Sequence, residues 1–94
     1  RSRRGRPVRL DKVPRAVLAD AIVATVRARP GIRTLMLAVD MMDAHTRYDP
    51  EGHRAKTVPG ANLALVVEIL DELTRARRVK STRDTDGFQL WQVA

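Results

Sequence analysis

The 94-residue sequence predicts a small α+β domain, mostly helical, with a β-hairpin near its C-terminal end. Three observations lead there. Apolar residues recur at three- and four-residue spacing in three separate segments. After Arg78 the period drops to two, and the pair Asp86-Gly87 divides the alternating stretch into two runs. One core is the limit for a chain this short, and with 44% hydrophobic and 31% charged residues it can build one.

The first helix is expected from Pro14 to Arg29, with Val17, Leu18, Ala21, Ile22 and Val26 on its apolar face. Proline suits the opening turn, where an N–H goes unpaired anyway, and Pro30-Gly31 ends the helix. Ile32-Arg33 reads as a very short strand. Thr34 then suits the N-cap of a second helix, with Leu35, Ala38, Val39 and Met42 inward and the run fading near His45. Met36, Met41 and Met42 read as core filler.

Residues 45–60 hold no sustained period, and a structureless stretch of that length is unusual in a compact domain. Within it, Asp49-Pro50-Glu51-Gly52 has the residue order of a type I turn. The third helix is expected from about Ala61 to Arg77, with Asn62 as a cap. Leu63, Val66, Val67, Leu70 and Leu73 form its stripe, widened by Ile69. The hairpin follows, with runs 79–83 and 88–93; Trp91 and Phe88 are expected in the core.

Charge is distributed unevenly. Of 18 basic residues, seven lie at or before Arg15, opposed by Asp11 alone, whereas residues 16–94 carry 11 basic and 10 acidic side chains. The division expected is therefore a basic arm, 1–12, ahead of a nearly neutral body, 13–94. A net charge of +7 favours a polyanionic partner. The absence of cysteine excludes disulfides, thiolate zinc sites and a cysteine nucleophile. His45 and His53, with Asp40, Asp43, Asp49 and Glu51 nearby, match no strong ligand spacing, so neither metal nor other cofactor is expected. No glycine-rich phosphate cradle or triad signature appears, so catalysis is not expected. No apolar run reaches the ~20 residues of a membrane span, and none follows the N-terminal charges as in a secretory signal.

Helix, short extended piece, helix, helix and hairpin is the order of a winged helix-turn-helix domain, and the chain from about Val13 to Ala94 resembles one. The leucine-rich helix closing in Arg77-Arg78-Val79, followed by a hairpin with a charged tip, carries most of that resemblance. It implies a last helix that enters the major groove and a wing on backbone or minor groove. The long segment before the third helix departs from the pattern, in which that turn is short. Separately, Arg4-Gly5-Arg6-Pro7, flanked by Arg3 and Arg9, is similar to the AT-hook core, which implies insertion into an A·T-rich minor groove.

Together these readings lead us to expect a duplex-DNA-binding protein, a transcriptional regulator or nucleoid-associated factor of the cytoplasm, with A·T-rich DNA the ligand of the arm. Its expected contacts are Arg1, Arg3, Arg4, Gly5, Arg6, Pro7 and Arg9 in the arm. To these are added Arg47, Arg54, Lys56, Thr57 and Asn62 around the start of the third helix, and Arg77, Arg78, Lys80 and Arg83 in the wing. Homodimerisation fits a fold that reads paired half-sites. The third helix is at odds with this expectation: from Ala61 to Thr74 it holds Glu68, Asp71 and Glu72 and no base. Asp71 and Arg75 are spaced for an ion pair. The alternatives are a winged-helix module that binds a protein partner through that acidic face and the 45–60 loop, or an RNA-binding component of a larger particle.

Overall fold

A computed structural model of the chain describes residues 6–53 and 57–94. Three helices, α1 (Arg15–Ala28), α2 (Thr34–Ala44) and α3 (Gly60–Arg75), pack with a small antiparallel sheet. That sheet consists of β2 (Ile32–Arg33), β4 (Val79–Arg83) and β5 (Gln89–Val93), in the order β2-β5-β4. A second pairing, parallel and two residues long, joins β1 (Arg6–Pro7) to β3 (Gly52–His53). The molecule is α+β, as its periodicities predict.

Two of the helices, α1 and α3, end for an identifiable reason. Pro30 cannot continue α1, and Gly31, at φ 86°, turns the chain so that its N–H donates to Trp91 O at 2.8 Å. This bond seats the short β2 beside β5, with Ile32 opposite Trp91. Thr34 does not cap α2 with its side chain; its Oγ1 instead accepts the indole N–H of Trp91 at 2.8 Å. α3 closes two residues earlier than expected. The N–H of Arg78 donates to Leu73 O and that of Arg77 to Thr74 O, a Schellman closure that holds Arg77 at φ 61°, where glycine is usual.

The core gathers Leu18, Ile22 and Val26 of α1, Leu37 and Met41 of α2, Val66, Ile69, Leu70 and Leu73 of α3, and Val79 and Trp91 of the sheet. Expected inward positions are corrected in α2 and at three residues elsewhere. In α2 the buried residues are Leu37, Ala38, Met41 and Met42, while Leu35 and Met36 are exposed. Apolar side chains surround this helix, so spacing alone could not choose the stripe. Val17, Val67 and Phe88 are also exposed rather than core.

The greater correction concerns residues 6–12. Val8 and Leu10 are 0% exposed, and Leu10 belongs to the central cluster, so residues 6–12 are part of the body rather than a separate arm. Residues 45–53 are also more ordered than expected. Thr46–Tyr48 forms a 3₁₀ turn, Asp49–Gly52 closes the expected β-turn with Gly52 N–H on Asp49 O, and β3 pairs with β1. Gly52 is required by proximity: a Cβ there would lie 2.6 Å from Val8 Cα.

Candidate nucleic-acid interface

Of the expected contacts, Arg1, Arg3, Arg4, Gly5, Arg54 and Lys56 lie outside the described residues. The others divide according to whether the fold already uses their charge. Arg6 is used. Its guanidinium forms a two-pronged pair with Asp49, with Nη2 donating to Oδ1 at 2.9 Å. Asp49 is 1% exposed and also accepts the backbone N–H of Arg9 at 2.9 Å, with Lys12 Nζ 3.9 Å away. The Arg6 hydrogen bonds, aided by the Arg9 N–H, hold the Asp49 carboxyl at a pKa of about 2, against the opposing effect of its burial. Pro7 lies in β1. The Arg9 side chain, half-exposed, donates to Asp11 at 2.8 Å.

Asn62 is corrected outright. It is 4% exposed; its Nδ2 donates to Val8 O at 2.7 Å and its Oδ1 accepts Leu10 N–H at 3.0 Å. It satisfies the backbone of the N-terminal segment against α3, neither capping the helix nor facing a ligand. Thr57 is exposed ahead of α3, and Arg47 lies over the Tyr48 ring at 5.0 Å.

The acidic face of α3 is partly neutralised from outside the helix. Arg15 donates to Glu68 at 2.7 Å and to Glu72 at 2.6 Å, and the hydrogen bonds to Glu72 and then Glu68 raise its pKa further. The expected Asp71–Arg75 pair is absent among the described residues, which leaves Arg75 available. Spacing permitted that pair; the tertiary structure does not form it.

At the root of the hairpin the charges remain unspent. Arg75, Arg77 and Lys80 are exposed and make no ion pair or side-chain hydrogen bond among the described residues. They stand within six residues, where α3 passes into edge strand β4. Arg78, between them, reaches Asp20 of α1 at 3.4 Å, a pair of two exposed side chains that solvent screens heavily. Arg83, at the far end of β4, donates to Gly87 O at 2.7 Å and braces the turn. Arg75 escaped the sequence reading because a carboxylate at helical spacing appeared to claim it.

Among the described residues no group of three His, Asp or Glu side chains could hold a metal. His45 is buried, its Nδ1 donating to Met41 O at 2.7 Å. No described helix is long and apolar enough to cross a membrane. Compared with protein-family models, curated proteins and solved structures, the chain matches none.

Proposed function

We propose that this chain is a winged helix-turn-helix domain that binds duplex DNA through its backbone, with the root of the hairpin as the principal contact. The element order and the sheet order β2-β5-β4 support the winged-helix reading. One observation carries the functional reading: Arg75, Arg77 and Lys80 are three exposed cations without a carboxylate, gathered within six residues, whereas Arg27, likewise exposed and unpaired among the described residues, stands apart on α1. Cations left unpaired release counterions when they meet phosphates, and that release drives sequence-independent affinity.

Base reading by α3 has less support. Asn62 is buried, and the exposed face of the helix ahead of Thr74 is apolar or acidic. Minor-groove insertion of Arg6, as the AT-hook resemblance implies, would require breaking its pair with Asp49. Control of transcription or organisation of the nucleoid are the roles such a backbone-directed domain would serve.

The test is a duplex-DNA titration at several salt concentrations, with A·T-rich, G·C-rich and structured RNA arms. The double variant Arg77→Ala/Lys80→Ala should weaken binding to both duplexes alike and make the slope of log K against log salt shallower by about 1.8, at ~0.9 per phosphate. An unchanged slope removes the hairpin root from the interface. Preferential binding of the RNA would redirect the reading to a ribonucleoprotein component.

A further inference from the structure

The opposite end of β4 carries a surface that DNA binding does not use. Leu35 and Met36 at the start of α2, Val67 on α3 and Phe88 at the hairpin tip are 54, 41, 42 and 51% exposed. With Leu63 they line one groove of about 650 Å³, within the roughly 300–1,000 Å³ typical of clefts that enclose a ligand. Scattered exposed apolar residues are ordinary, but a contiguous group from three elements in one concavity is characteristic of a binding surface. Methionine and phenylalanine together suit it to an adaptable apolar anchor.

The charged groups of the groove indicate its occupant. Its lining includes two guanidinium groups, Arg33 and Arg83, and no carboxylate. Arg33 lies over the Phe88 ring at 4.3 Å, and its contact with Asp84 is a long 3.3 Å. Asp84 divides its carboxylate: Oδ1 accepts the N–H groups of Asp86 and Phe88, at 2.9 and 3.0 Å, and Oδ2 pairs with Arg33. A ligand segment meeting this surface therefore finds apolar walls and two guanidinium groups, of which Arg33 shares its charge with Asp84 and Arg83 meets no carboxylate.

We propose that the groove docks a short amphipathic segment of a partner protein, with large apolar residues on one helical face and Asp or Glu beside them. Helix-in-groove recognition works in this way: apolar anchors supply affinity and the flanking charges set orientation. DNA is a poor occupant, because Leu35, Met36 and Val67 offer phosphates and base edges no hydrogen bond. A second copy is a poor one too, since it would bring another +7 chain and a second pair of rim arginines onto the first. The inference does not depend on the DNA reading, because it rests on different residues.

The test is selection of a random displayed-peptide library on the full chain, with counter-selection on Val67→Asp. Val67 and Phe88 are exposed, and unchanged melting temperatures will verify that Val67→Asp and Phe88→Ala fold. Enriched peptides should carry apolar residues at helical spacing with acidic neighbours. A synthetic copy of the leading peptide should bind each variant about thirtyfold more weakly than the parent chain, the loss expected of a hot-spot side chain. The pair Arg33→Glu/Arg83→Glu should also weaken it and flatten its salt dependence. No enrichment, peptides without acidic flanks, or binding indifferent to Phe88→Ala would overturn the proposal. So would a doubling of mass abolished by Val67→Asp, which assigns the groove to a second copy, or duplex DNA perturbing the amides of Leu35, Val67 and Phe88.

Discussion

Two arginine-rich stretches, residues 6–15 and 75–83, look alike in the sequence and have opposite roles in the fold. In the first, Arg6 is held by the buried Asp49, Arg9 by Asp11, and Arg15 by Glu68 and Glu72. In the second, Arg75, Arg77 and Lys80 are left to solvent. The density of positive charge along a chain therefore does not report how much of it is available. What decides is whether a carboxylate arrives from elsewhere. For Arg6 that carboxylate is 43 residues downstream.

The largest expected effect tests whether the first stretch is structural. Leu10→Ala should destabilise the chain by about 2–5 kcal/mol, read from the urea midpoint, because it leaves a cavity in the core. An arm lying loose on the surface would give a change near zero.

Asp49→Asn sharpens the comparison through pH. The Asp49 carboxyl is lowered from 3.8 to about 2, so its contribution to stability is complete above 3.8 and disappears as pH falls through about 2. The variant should be less stable at neutral pH and lose less further stability across that acid window. Parallel losses in both proteins between those pH values would contradict the clamp.

The smallest effect falls at the second stretch. Arg77→Gly relieves a left-handed conformation and should raise stability by about 0.5–1 kcal/mol, after the greater chain entropy of glycine is subtracted. If the proposed DNA contact holds, the same change makes the salt slope of duplex binding shallower by about 0.9. More stable yet less strongly bound is the outcome expected where a cation is kept for its ligand.

The sequence disclosed what is local. The three helices, the stop at Pro30-Gly31, the turn at Asp49–Gly52 and the hairpin follow from spacing and turn chemistry acting within a few residues. It concealed what depends on distant partners. Asn62 has the look of a cap, yet it serves the backbones of Val8 and Leu10. Arg75 seemed claimed by Asp71, though the helix does not bring them into contact. The inward side of α2 was ambiguous because Leu35, Met36 and Leu37 are all apolar, and only the packing of α1 and α3 decides among them. Exposure of Phe88 and Val67 was hidden for the same reason, and with it the groove.

The partners of the opening segment also bear on synthesis. Its bonds span 40 to 54 residues, from Arg9 to Asp49 and from Val8 to Asn62. A ribosome therefore releases Val8 and Leu10 well before the chain that will cover them exists. Until α3 emerges, those two side chains remain open to chaperones or to other nascent chains, and closing so long a loop makes their docking a late event.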